Sequence, residues 1–228
     1  MKIPSSRLVP YAAAVGIESA SKEFCSRYLR GKHLDVRIHS NDYISFGGAG
    51  LCYSDQNLME AISSGFALPR IIPFLRNITN GFSSIRTLIR IKDILTSENL
   101  FVEKIAMLLR AGIASTAVFA NFDSKSKDLL LENKNEILNF TVVDTNISFF
   151  LHNLNDGFWS VSSECPKQNS TAILSFADLF VVDQTLRGSI DHLSAIGFGL
   201  INVSGKIPLI DKIGFISRNV QKSIPSLQ

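Results

Sequence analysis

The stretch Gly31-Lys32-His33-Leu34-Asp35-Val36-Arg37-Ile38-His39-Ser40-Asn41-Asp42-Tyr43-Ile44-Ser45-Phe46 sets the layout of the N-terminal part of the chain. Leu34, Val36 and Ile38 alternate with polar residues, which predicts a half-buried strand, because successive strand side chains point to opposite faces. Upstream, residues 18–30 carry apolar or small residues at helical spacing and predict a helix. Gly31 stands where that helix should end, since glycine adopts the left-handed conformation there without a steric penalty. Asn41-Asp42-Tyr43 reads as a turn. Gly47-Gly48-Ala49-Gly50 follows as a flexible connector. It lacks the strand-then-helix setting of a phosphate loop and reads as a turn.

Farther along, residues 56–65 predict a short helix, and Pro69 and Pro73 then interrupt the chain. Residues 84–95 and 97–110 show helical periodicity, with Ser97 as an N-cap candidate and Glu98 favourable in the first turn. From residue 114 the pattern changes. Residues 115–120, 140–143 and 179–182 are short apolar runs rich in β-branched or aromatic residues, and 159–162 is a further short strand candidate. Strands alternating with helices predict an α/β fold with a mostly parallel sheet covered on both faces.

The chain has 228 residues, 46% hydrophobic and 19% charged, enough apolar material to bury a core. Its net charge of +3 is mild, and its 23 basic residues form no uninterrupted run, which disfavours a nucleic-acid role. Cys25, Cys52 and Cys165 lie far apart, so they are read as buried thiols in a reducing compartment rather than as disulfides or zinc ligands. His33, His39 and His192 have no ligand-like spacing and are read as structural, and no metal site is expected. Residues 8–17 contain Pro10 and make a poor secretion signal. No unbroken apolar run of about eighteen residues predicts a membrane span. A cytoplasmic location is the expectation.

Ser40-Asn41-Asp42-Tyr43, together with Val181-Val182-Asp183 and Phe215-Ile216-Ser217-Arg218-Asn219-Val220-Gln221-Lys222, resembles the α-oxoamine synthases. These are pyridoxal 5'-phosphate (PLP) enzymes that condense an amino acid with an acyl-CoA. The preceding Gly31-Lys32-His33-Leu34 is closest to the bacterial autoinducer synthases of that family. The resemblance implies a truncated fold-type-I large domain, with residues 1–50 as an N-terminal helical arm and first strand and residues 51–228 as a partial large domain. It implies acyl-CoA and an amino acid as substrates, and a homodimer or a partner subunit, because such enzymes dimerise across the active site.

By the same resemblance Lys222 would be the catalytic, cofactor-bearing lysine. Asp183, at the end of the 179–182 run, would hold the cofactor's pyridine nitrogen protonated. Asn41 would lie near the amino-acid carboxylate, and Tyr43 would line the way in for the acyl chain. From the residues alone Asp183 reads equally as a cap of the following turn, and Lys222 as a solvated surface charge. The chain departs from the family pattern at several positions. Asn219 stands where a phosphate-binding hydroxyl is usual, and Leu186 where the family has a histidine. Residues 121–127 contain Asp123 and no glycine where a phosphate cradle belongs. The ring-stacking histidine falls on Ser148 in one register and is deleted in the other, with His152 read as a surface or turn residue. The implied activity is PLP-dependent acyl transfer in an impaired form. The alternative is an inactive remnant that binds a partner.

Overall fold

The structure is a computed structural model that describes residues 3–28, 34–39, 43–48, 50–64, 69–97, 101–153 and 157–224. Gly31, His33 and Asn41 therefore lie outside the described residues. The chain divides into two compact units, Ile3–Ala111 and one built from Gly112–Gln228.

The first unit opens with helix α1 (Ser5–Tyr28), longer than periodicity suggests because it continues through Pro10. Small buried residues, among them Ala12, Ala13, Ala14 and Gly16, allow neighbouring elements to pack closely around it. Strands β1 (Val36–His39), β2 (Tyr43–Phe46) and β3 (Leu51–Ser54) form a three-stranded antiparallel sheet in that order. Gly47 and Gly48, both at positive φ, make the turn between β2 and β3, as the glycine-rich connector predicts. Alternation places Leu34, Ile44, Phe46, Leu51 and Tyr53 in a core with Ala14 and Leu58, the latter from helix α2 (Asp55–Ser64).

Helices α3 (Ile71–Arg76) and α4 (Ile78–Thr96) follow. Pro73 sits within the first turn of α3, where its missing N–H costs nothing. The next long helix, α5 (Phe101–Phe122), begins in the first unit. There Ala20, Phe24, Ile91, Ile94 and Met107 form a second core cluster. Beside it Glu23 accepts hydrogen bonds from Arg27 Nε at 2.6 Å and from Arg110 Nη1 at 2.9 Å. α5 is long and apolar enough to cross a membrane by length and composition alone, and 72% of that window is buried, as in a core helix. The reading of residues 115–120 as a strand is corrected, for they are the buried C-terminal half of α5.

In the second unit, α6 (Ser124–Leu130) is capped by Asp123, whose carboxylate accepts from Ser126 N at 2.9 Å. Strands β4 (Ile137–Val142), β5 (Ser148–His152), β6 (Ser160–Ser162), β7 (Ala172–Phe176) and β8 (Ile201–Gly205) form one sheet in the order β6-β5-β4-β7-β8. Helices α7 (Leu179–Leu186), α8 (His192–Gly197) and α9 (Ile207–Ser223) complete it.

The α/β class is as expected, but the sheet is not mostly parallel. Only β4 and β7 pair in parallel, and the other three pairs are antiparallel. The physical reason is chain length. Only Val143 to Ile147 separate β4 from β5, room for a turn and none for a crossover helix. The expected strand at residues 179–182 is also corrected. Those residues begin α7, because Asp178 caps that turn by accepting from Val181 N at 2.8 Å.

Candidate functional site

Of the residues that the resemblance implicates, Tyr43 stands in the first unit and Asp183 and Lys222 in the second, so they are described separately. Tyr43 is the first residue of β2. It stacks on His39 with ring centroids 4.2 Å apart and an 11° interplanar angle, and the Arg70 guanidinium lies 5.1 Å from its ring centroid. His39 Nε2 is 2.8 Å from Ser45 Oγ. Because His39 pairs with Tyr43 across the strands, and Ser45 lies two residues along β2, all three point to the same face of the sheet.

Cys52 lies directly across from Ser45 and is buried, which pushes its thiol pKa up, against a weaker lowering by Arg70. From below, Arg7 donates to the main-chain carbonyls of His39 at 2.8 Å and Tyr43 at 3.3 Å. Tyr43 is thus held between a histidine ring and an arginine. The sequence reading missed Arg7, Ser45 and Arg70, since none belongs to a recognisable motif. It assigned His39 a structural role, and the stacking agrees with that. The expectation of three buried thiols is corrected, because Cys165 is exposed and Cys25 half-buried.

Asp183 occupies the middle of α7. Its Oδ2 accepts from Arg187 Nε at 2.8 Å, one helical turn later, and its Oδ1 is buried without a hydrogen-bond partner. The Asp183 side chain is 14% exposed and that of Arg187 53%. Lys222 is exposed in the last turn of α9, where a cation complements the negative end of the helix dipole. α9 lies beside α7, with Gln221 Nε2 donating to Thr185 O at 3.4 Å.

The Asp183 carboxylate already answers a guanidinium, Lys222 faces solvent, and residues 121–127 are a helix end and a cap rather than a cradle of backbone N–H groups. Leu186 closes α7, and Gly112 of α5 packs near it. Asn219 accepts from Ser223 Oγ through its backbone carbonyl. Ser148 donates to Asn139 Oδ1 at 2.9 Å, and His152 lies 3.3 Å from Ser160 Oγ at the end of β5. Among the described residues no group of three or more His, Cys, Asp or Glu is placed to hold a metal ion.

A different feature of the second unit has functional potential. Val143 follows β4, and its N–H donates to Phe176 O at the end of β7. Ala177 N–H donates to Leu200 O just before β8. This register gathers Val143, Phe180 and Phe198 at one end of the sheet, with Leu193 on the adjacent α8. All four are 44–81% exposed. Isolated exposed apolar residues are ordinary, whereas several at one sheet end make a surface that water solvates poorly.

No family model matches the chain, and no curated protein matches it. Among solved structures it is similar to Sterol Carrier Protein 2 from Yarrowia lipolytica in its apo form. The identity is 18%, over 57% of this chain and 96% of that one, with a TM-score of 0.34. At that level the likeness carries no argument about fold or function.

Proposed function

We propose that this chain acts by recognition rather than by covalent chemistry, as an interaction subunit whose second unit meets a second copy of the chain. The observation that carries this reading is the exposed apolar group Val143, Phe180, Leu193 and Phe198 at one end of the five-stranded sheet. A twofold contact uses one patch on both copies, and an apolar patch is self-complementary in that arrangement. Light scattering of the purified chain tests it. The expected result is a dimer that becomes monomeric in Phe180→Asp and Phe198→Asp, both exposed positions where an aspartate does not disturb the core. A monodisperse wild-type monomer would sink the reading.

PLP-dependent acyl transfer between an acyl-CoA and an amino acid is the second reading. Beyond the resemblance, the buried and unpartnered Oδ1 of Asp183 favours it, because a buried carboxylate oxygen calls for a donor. Lys222 and Asp183 would be its anchors. Incubation with PLP followed by borohydride and peptide mapping decides it. A label on Lys222 supports acyl transfer, and an unlabelled chain leaves recognition as the function.

A further inference from the structure

Helix α4 carries apolar residues on both faces, with Ile85, Leu88, Ile91 and Ile94 packed on the core and small residues among them. It buries Gly81, Ser84 and Thr87, and turns Ile78, Phe82 and Ile89 to solvent. Those three inward residues are small for a steric reason. The β2–β3 turn runs against them, so that a Cβ on Gly81 would stand 3.0 Å from Gly50 O and 2.6 Å from the Phe74 ring. That accounts for the inner face and leaves the outer one unexplained. Ile78, Phe82 and Ile89 recur at helical spacing on one side, with Arg86 between them and Arg90 alongside. Short helix α3 adds Ile71, Ile72 and Leu75 and buries none of its residues. The six apolar side chains are 45–69% exposed. Phe74 and Phe82 meet edge-to-face at 5.4 Å, which ties the two helices into one surface.

The charge on this surface is predominantly positive, with exposed Asp93 of α4 its one carboxylate among the described residues. Residues 61–92 contain five cations, Arg70, Arg76, Arg86, Arg90 and Lys92, and no Asp or Glu. All five are exposed. Among the described residues none pairs with a carboxylate.

We infer that α3 and α4 form a docking face for an anionic phospholipid bilayer. The six apolar side chains enter the boundary between headgroups and acyl chains, and Arg76, Arg86, Arg90 and Lys92 lie among the phosphates. A second copy of the chain is disfavoured here, because a twofold contact would set this unbalanced positive patch against itself. A nucleic acid would engage the arginines and leave Ile71, Ile72, Leu75 and Phe82 in water. A protein partner requires shape complementarity and usually a rim of both signs. A lipid surface requires neither.

The test is sedimentation of the full chain with vesicles of phosphatidylcholine alone and of phosphatidylcholine mixed with phosphatidylglycerol. The chain should bind the anionic vesicles at least about tenfold more tightly than the neutral ones, since each cation near such a surface is worth on the order of fivefold. Raising salt from about 0.1 M to about 1 M, which shortens the screening length from about 10 Å to about 3 Å, should weaken binding. The double substitution Arg86→Glu with Arg90→Glu should abolish it. Ile72→Ser with Phe82→Ser should weaken it about tenfold or more, because the apolar contribution is lost. These positions are exposed, so unchanged circular dichroism confirms that the variants fold. Equal binding to both vesicle types, no binding to either, or indifference to the Ile72/Phe82 pair would overturn the proposal. Single-stranded RNA that displaces the chain from vesicles while binding the Ile72/Phe82 variant unchanged would overturn it as well.

Discussion

Arg7 and Asp55 form a two-pronged ion pair, Nε to Oδ2 at 2.6 Å and Nη2 to Oδ1 at 3.1 Å, that joins the start of α1 to the start of α2. The Arg7 side chain is 8% exposed and that of Asp55 20%. Arg7→Met would strand the carboxylate and remove the donor to His39 O and Tyr43 O. Breaking one partner of a buried pair costs about 3–5 kcal/mol. Denaturant unfolding should show a loss of that order, and Arg7→Met with Asp55→Leu should lose less than Arg7→Met alone. A loss below about 1 kcal/mol in Arg7→Met would show that the pair contributes as little as a surface contact.

Glu136 gives the second unit its sensitivity to acid. Burial pushes its pKa up, and hydrogen bonds from Lys206, Thr171 and Asn133, with the Lys206 charge, more than offset this and leave it below the usual value. A carboxyl group depressed in the folded state contributes stability that is complete above its unfolded pKa of about 4.3. That contribution is lost as pH falls through the lower folded value. Denaturant midpoints recorded from about pH 6 to about pH 3 should therefore fall over the last unit or so, and Glu136→Gln should flatten that part of the curve. In Lys206→Met burial loses its main opponent, so the folded-state pKa rises toward the unfolded value or above it and the decline on acidification should shrink or reverse. An identical profile in Glu136→Gln and the wild type would refute the assignment.

Asn121 holds the chain ahead of β6 with both ends of its amide. Nδ2 donates to Trp159 O at 2.7 Å, and Oδ1 accepts from Trp159 N at 2.8 Å. Asn121→Ala leaves two buried backbone groups unpaired, at about 1–3 kcal/mol each. Trp159 is the chain's one tryptophan and is buried, so its fluorescence reports the site. Red-shifted emission and a stability loss of about 2–4 kcal/mol are expected; unchanged emission would refute the role.

Gly81→Ala should drive the Phe74 ring away and cost about 1–3 kcal/mol, the usual penalty of overpacking. Amide exchange should quicken in α3 more than in α1. Equal quickening in both helices would mean that Gly81 does not govern the seat of α3.

The elements that pattern reveals are those with one wet face. β1 alternates, α2 lies within a residue of its expected bounds, and α4 ends as expected but begins six residues earlier (84 − 78). Residues 115–120 failed because the end of α5 is buried nearly all round, so no polar stripe marks its period. Residues 179–182 failed because Leu179-Phe180-Val181-Val182 is β-branched and aromatic, and the single side chain of Asp178 decides for helix. That substitution of helix for strand moved Asp183 from a strand end to a helix surface beside Arg187. Tyr43 was singled out, but its partners Arg7 and Arg70 come from positions 36 and 27 residues away (43 − 7 and 70 − 43). Only the fold brings them together. The cations of residues 61–92 did not stand out in the sequence, where they are spaced singly, and only the helices bring them to one surface.

The one parallel pair in the five-stranded sheet also sets an order of assembly. β4, β5 and β6 are consecutive hairpin partners, so their contacts close over short loops. Pairing β4 with β7 joins Leu138 to Ala172, 34 residues apart (172 − 138), and must follow the hairpins because longer loops close at greater entropic cost. β8 then completes the edge, and α9 supplies Leu209, Ile213 and Ile216 to the interior. A ribosome that has released β4 to β6 has made a meander that can form early but exposes the edge that β7 will cover. During synthesis that edge stays open until β7 emerges, and over that interval it can pair wrongly with another chain.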